Sequence, residues 1–234
     1  MTSVWMRPVP RLGLVAAICG LIALAFAYWW LGNTVHELAG LAVCLFLLRH
    51  LVNNLSWWRR LARGQWTAAR VLSTVLTLLL AVDTVALVAT SLMISQSLRE
   101  ILPMPGEFVL REIHWFSAYW LLVLAGLHLG LNLHRMALFL SQATGGRAIP
   151  GPVRAGLWAA ALVVGWIGIE SGTVIGLWTR LSFGYSMSMW DFNASVLPYF
   201  LHVGAVAVLM ALLGHGAGLV SGMLPRVADR RRPS

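Results

Sequence analysis

Long apolar runs recur along this chain, with the polar positions gathered between them. Reading for about 20 consecutive apolar residues, enough to cross the hydrocarbon of a bilayer as a helix, gives spans near 12–31, 34–56, 71–95, 113–138, 155–178 and 197–220. The pattern predicts an all-α fold, a polytopic membrane helix bundle of six transmembrane helices that takes residues 1–234 as a single membrane domain. The first run follows Arg7 and Arg11 as a secretory leader would. It ends in Tyr28-Trp29-Trp30 and lacks a small-x-small cleavage site, so it reads as a retained helix.

Composition agrees with a membrane location. The chain is 59% hydrophobic and 11% charged, against roughly 25% charged in an average soluble domain. All seventeen basic residues are arginine, set against eight acids, for a formal net charge of +9. The arginines flank apolar runs instead of interleaving with exposed aromatics, which argues for topology and against nucleic acid as a partner. With the N-terminus inside, Arg7, Arg11, Arg59, Arg60, Arg63, Arg70, Arg147, Arg154, Arg226, Arg230, Arg231 and Arg232 are cytoplasmic. Arg49 and Arg135 lie near inner helix ends, and only Arg99, Arg111 and Arg180 fall outside. The positive-inside bias therefore predicts both termini cytoplasmic, and Trp29, Trp57, Trp58, Trp115 and Trp178 at span ends fit interfacial belts. Membrane lipid is the first partner this implies. Cys19 and Cys44 lie inside spans, so no disulfide framework is expected.

The candidate chemistry lies in the histidines. His36 and His50 are fourteen positions apart, and so are His114 and His128. At ~100° and ~1.5 Å per residue, such a pair lies within roughly 40° of one helix face and spans ~21 Å. The second and fourth spans run in the same direction, which sets His36 level with His114 on the outer side and His50 level with His128 on the inner side. Two stacked bis-histidine sites suit two haem irons: paired axial imidazoles saturate the iron, and such a centre passes electrons. No HExxH follows His36 and no CxxCH occurs, so the reading is two non-covalent haem b groups and not zinc or c-type haem. Structural, interhelical hydrogen-bonding histidines are the competing account.

Supporting residues are less specific. Gly40, one turn after His36, and Gly126 and Gly130, bracketing His128, would let a porphyrin approach, with ordinary small-residue packing as the alternative for each. Arg111 at the outer level, and Arg49, Arg59 or Arg135 at the inner, are candidates to pair with haem propionates, or else topological anchors. His134 lies roughly 240° round from His128, and His202 and His215 roughly 220° from each other, so none extends the stacked pairs. His202 at the outer level is a candidate for a quinone pocket. Asp83 and Glu170 lie at membrane depth, as proton carriers or as acids bonded to neighbours such as Thr84 and Ser171. The outer stretches 96–112 and 179–196 are the more elaborate loops, the second suited to docking a partner, and the tail from Arg230 suits anionic lipid.

At these residues the chain resembles a family. His36-Glu37-Leu38-Ala39-Gly40, then His50, Asn54 and Trp57-Trp58, is similar to the second-helix signature of bacterial flavinylation-associated cytochromes. Ile113-His114-Trp115-Phe116-Ser117-Ala118-Tyr119, continuing to Gly126-Leu127-His128-Leu129-Gly130, resembles that family's later haem helix. The spacing within each helix is also similar to that of respiratory b cytochromes. The resemblance covers residues 30–140 well and the remainder weakly. It implies a di-haem cytochrome of the bacterial inner membrane, working beside an extracytoplasmic flavin- or iron-sulfur-bearing redox protein as an electron-transfer subunit and not a stand-alone enzyme. A histidine-lined membrane transporter or metal-handling protein is the alternative function, and a quinone is a further candidate ligand.

Overall fold

The computed structural model describes residues 8–99, 107–146, 149–185 and 189–223. Among them all regular structure is helical: α1 (Pro8–Phe26), α2 (Tyr28–Asn53), α3 (Leu55–Arg59), α4 (Ala68–Ile94), α5 (Glu107–Leu131), α6 (Leu133–Ala143), α7 (Gly151–Val174), α8 (Leu177–Leu181) and α9 (Leu197–Met223). Five of these, α2, α4, α5, α7 and α9, are long and apolar enough to cross a membrane. The run expected to give the first span forms the shorter α1, because the chain breaks at Ala27 and restarts with the aromatic Tyr28-Trp29-Trp30 at the head of α2. Still, α1 extends from α6, where Arg11 lies over the Phe139 ring at 5.6 Å, to the start of α9, where the Tyr199 hydroxyl donates to the Phe26 carbonyl at 2.8 Å. Arg7, Arg147, the prolines Pro103 and Pro105, and the tail from residue 224 lie outside the described residues.

Local chemistry sets the helix ends. The Thr67 hydroxyl caps α4 by accepting from the Arg70 N–H at 3.2 Å. Gly32 breaks the first turn of α2 from the rest with φ 76° and ψ 179°, a conformation that favours glycine. The spans expected to run to 56 and 138 stop at Asn54 and Asn132 instead. Each asparagine donates its side-chain amide to the carbonyl four residues back, Asn54 to His50 and Asn132 to His128, both at 2.8 Å, and the chain turns.

Packing is unequal across the bundle. α5 lies between α4 and α9, and α7 lies on the far side of α9. Small residues bring these backbones together. A Cβ on Gly130 would stand 2.1 Å from the Ala211 carbonyl oxygen, and one on Gly214 would stand 2.2 Å from that of Leu127. On α7, a Cβ on Gly168 would meet the Ala205 carbonyl at 2.5 Å. The core cluster of Leu122, Val123, Tyr199, Val203, Val206 and Met210 fills the α5–α9 seam. By contrast α2 packs along α1, and its backbone makes no comparable contact with α4 or α5. The outward faces carry exposed leucines and valines such as Leu38, Leu45, Val82, Leu162 and Leu201, as contact with lipid requires.

Gly130→Val is expected to lower stability by about 2 kcal/mol or more, because the added carbons cannot enter that seam without moving α9. Gly204→Ala, which meets nothing within 4 Å, is expected to be neutral or stabilising by about 0.5–1 kcal/mol. Thermal unfolding of the two variants in detergent measures the contrast.

Candidate cofactor site

Two of the four paired histidines meet ring to ring. His36 of α2 and His114 of α5 have centroids 6.0 Å apart and planes at 73°. Two imidazoles on opposite sides of one metal ion, with metal–nitrogen bonds of ~2.0 Å, put their ring centres roughly 6 Å apart. His114 is 7% exposed; His36 is half-buried, with Tyr28 edge-on at 5.3 Å.

The hydrogen bonds at these rings fix which nitrogen carries the proton. His36 Nδ1 lies 2.8 Å from the Ala25 carbonyl, which only accepts, so Nδ1–H donates and Nε2 keeps its lone pair. His114 Nδ1 faces the hydroxyls of Thr90 at 3.2 Å and Ser91 at 3.4 Å. Those hydroxyls already donate to their own helix, Thr90 to Ala86 at 2.8 Å and Ser91 to Leu87 at 2.8 Å, so they accept from His114. Both neutral rings therefore offer Nε2 as a ligand, each oriented by a bond on the other nitrogen.

The His50–His128 level repeats the logic. His128 Nδ1 lies 3.5 Å from Thr77 Oγ1, whose proton goes to the Ser73 carbonyl at 2.7 Å. His50 and Arg135 are the electrostatic neighbours of His128. Thr77 and Thr90 thus lie beside His128 and His114 respectively, which makes α4 antiparallel to α5, and the neighbours of His114 and His128 make α2 parallel to α5.

One side chain ties α2 to α4 across the open side of the bundle. Glu37 Oε1 accepts from Asn33 Nδ2 at 3.0 Å, Ser95 Oγ at 3.1 Å and the Gln96 N–H at 2.8 Å, while Oε2 takes the Ser97 hydroxyl. The carboxylate following His36 therefore works as a strap and not as a metalloprotease base. Sequence reasoning missed it, since Ser95-Gln96-Ser97 has no signal beyond a polar turn at a helix end.

The remaining candidates divide. Gly40 has open space where a Cβ would stand. Gly126 and Gly130 do not border the space between α2 and α5: a Cβ on Gly126 would lie 2.6 Å from Met210 Cβ, so both serve the α5–α9 seam, and the expected porphyrin approach at these two glycines is corrected to helix packing. Arg49 is exposed and Arg111 half-buried. His202 Nδ1 lies 2.9 Å from the Ser171 hydroxyl and its ring is 5.6 Å from Trp190, so these neighbours belong to α7 and to the loop before α9. His134 is exposed on α6, and His215 stacks on Trp158 at 5.1 Å. Glu170 is exposed, and the Ser171 hydroxyl expected beside it serves His202. Trp115, expected in an interfacial belt, lies under the Arg180 guanidinium at 4.0 Å, and buried Arg180 pairs with Glu112 at 3.2 Å. That pair holds α8 against the start of α5, two residues from His114.

The donor set fits haem better than a closed zinc site. Among the described residues no group of three or more His, Cys, Asp or Glu side chains could hold a metal ion, whereas a haem iron needs no more than two side-chain ligands from the protein. Side chains that meet from helices whose backbones stay apart also suit a flat macrocycle between α2 and α5. Compared with protein-family models, with curated proteins and with solved structures, the chain matches none.

Glu37→Ala leaves the Ser95, Gln96 and Ser97 donors without their acceptor and is expected to cost about 1–3 kcal/mol. Glu37→Gln, which keeps one acceptor oxygen, is expected to lose less. Chemical or thermal unfolding in detergent reads the order of the two variants, and equal losses would show that the carboxylate does not act as an acceptor here.

Proposed function

We propose that this chain is a di-haem b-type membrane cytochrome that transfers electrons across the bilayer, between a quinone pool and an extracytoplasmic redox partner. The observation that carries the reading is the His36–His114 pair, at an axial-ligand separation with both Nδ1 atoms engaged elsewhere. His50 and His128 supply the second pair, ~21 Å deeper by helix rise. When bound, haem iron supplies one-electron redox chemistry without an open coordination position. The residues of the chain do the rest: Thr90, Ser91 and Thr77 hold the rings of α5, the Ala25 carbonyl holds that of α2, and Glu37 sets the separation of α2 from α4 at the outer end.

With α1 counted as a crossing, the bundle has six passes and both termini on the cytoplasmic side, in the inner membrane of a bacterium. Resemblance in the two histidine helices supports membership of the flavinylation-associated cytochromes, and with it a flavin- or iron-sulfur-bearing partner outside. Arg49 and Arg111 are the propionate-pairing candidates. His202, with Ser171 and Trp190 beside it, is the candidate contact for a quinone. A histidine-lined transport path is the weaker account, since the Nδ1 atoms of His36, His114 and His128 are engaged within the bundle.

Protein purified from haem-replete cells is expected to give a pyridine haemochrome spectrum with about two haems per chain. His128→Ala is expected to remove one haem and leave the other, and His128→Ala combined with His114→Ala to remove both. A haem-free wild-type protein overturns the reading.

A further inference from the structure

Asp83 lies between the two histidine levels and belongs to neither. It follows Thr77 by six residues and precedes Thr90 by seven, which places it ~9 Å and ~10.5 Å along α4 from those two hydroxyls. Its direction is within ~20° of that of Thr90 round the helix, so it too is aimed at α5. There the Ser117 hydroxyl is its hydrogen-bonding neighbour, on a residue 3% exposed. Asp83 Oδ2 is buried without a hydrogen-bond partner. The adjacent Thr84 hydroxyl donates to the Leu80 carbonyl at 2.7 Å and gives it nothing.

The titratable groups around it are few in kind. From α5 they are Arg111, Glu112, His114, Tyr119 and His128, with Glu112 paired to Arg180 and the Tyr119 hydroxyl donating to the Ile175 carbonyl at 2.9 Å, and from α9 they are Tyr199, His202 and His215. Across the open side α2 carries His36, Glu37, Cys44 and His50. No arginine or lysine lies within α4 between Thr77 and Thr90 to neutralise a carboxylate there. An ionised acid with one unpartnered oxygen at this depth is costly unless a positive charge stands nearby.

We propose that Asp83 takes up one proton when an iron centre at either level is reduced and releases it when that centre is oxidised, an inference that rests on the di-haem reading. On reduction, one electron from an external one-electron donor converts iron(III) to iron(II), and one proton from the aqueous phase converts the Asp83 carboxylate to the acid; oxidation returns both. The driving force is Coulombic. As a carboxylate, Asp83 is attracted by the single net positive charge of a ferric bis-imidazole porphyrin and loses that attraction when an electron cancels the charge. At ~10 Å and an effective dielectric constant of ~20, the change in proton affinity is on the order of tenfold.

The test is a spectroelectrochemical titration of the haem-loaded full chain, repeated stepwise from acid to alkaline pH, with redox-difference infrared spectra on the same samples. For wild type, the potential is expected to fall as pH rises, by a total of about 59 mV for a tenfold change in affinity, and a carboxylic-acid C=O band is expected to appear on reduction. Asp83→Asn is expected to abolish both the fall and the band while keeping two haems. Asp83→Glu is expected to restore them, and Ser117→Ala to move the pH window without removing the fall. A flat wild-type curve, or an unchanged slope and band in Asp83→Asn, overturns the proposal while leaving the cytochrome reading intact. A chain without haem overturns the cytochrome reading, and the proposal with it.

Discussion

A bilayer supplies no water, so every imidazole N–H inside it needs an acceptor from the bundle itself, and the way that need is met organises the whole site. α4 has no histidine of its own, yet it decides the tautomer of both histidines of α5. Its Thr77, Thr90 and Ser91 hydroxyls each donate to a carbonyl of their own helix and so present lone pairs outward. α1 does the same for His36 by a different route. Because α1 ends at Phe26, the carbonyls of its last turn have no intrahelical partner; Ala25 takes His36 and Phe26 takes Tyr199. The break at Ala27, an irregularity in the pattern of spans, thus frees the acceptor that orients one of the four rings.

The two sides of α5 do different work. Toward α9, Gly126, Gly130 and Gly214 let backbones touch, and the seam has no room for a ligand. Toward α2, the backbones stay apart and only side chains cross. The packed seam and the histidine-bearing face of α5 are therefore separated by about half a turn of one helix. Buried Arg180, paired with Glu112 and covering Trp115, anchors the N-terminal part of α5 beside His114. A buried ion pair of this kind is weak evidence for net stability, but it defines where α8 sits against α5.

Much of this was legible in the sequence, and what was not has physical reasons. The fourteen-residue spacing and the level pairing could be read, because helix rise and turn angle are fixed by the backbone. The helix ends at Asn54 and Asn132 could not, since an asparagine within an apolar run only becomes a stop when its amide turns back to the carbonyl four residues earlier. In hindsight His50-x-x-x-Asn54 and His128-x-x-x-Asn132 share that spacing. Gly126 and Gly130 misled because a glycine reports close approach without saying what approaches. Glu37, Arg180 and Ser117 gained their roles from residues 58, 68 and 34 positions away, and no local pattern encodes such partners.

The acids around the site also explain why one of them stands apart. Glu37 is saturated by side-chain and backbone donors in the N-terminal part of α2, and Glu112 is matched by Arg180 at the start of α5. Asp191 accepts from the backbone of its own turn, and Glu170 faces outward from α7. For each, gaining or losing a proton would break bonds already made or happen away from the histidines. Asp83 has a buried oxygen with nothing bound to it, on the helix that orients both rings of α5. A change of charge at either level would therefore be felt by Asp83 with little of the structure needing to rearrange.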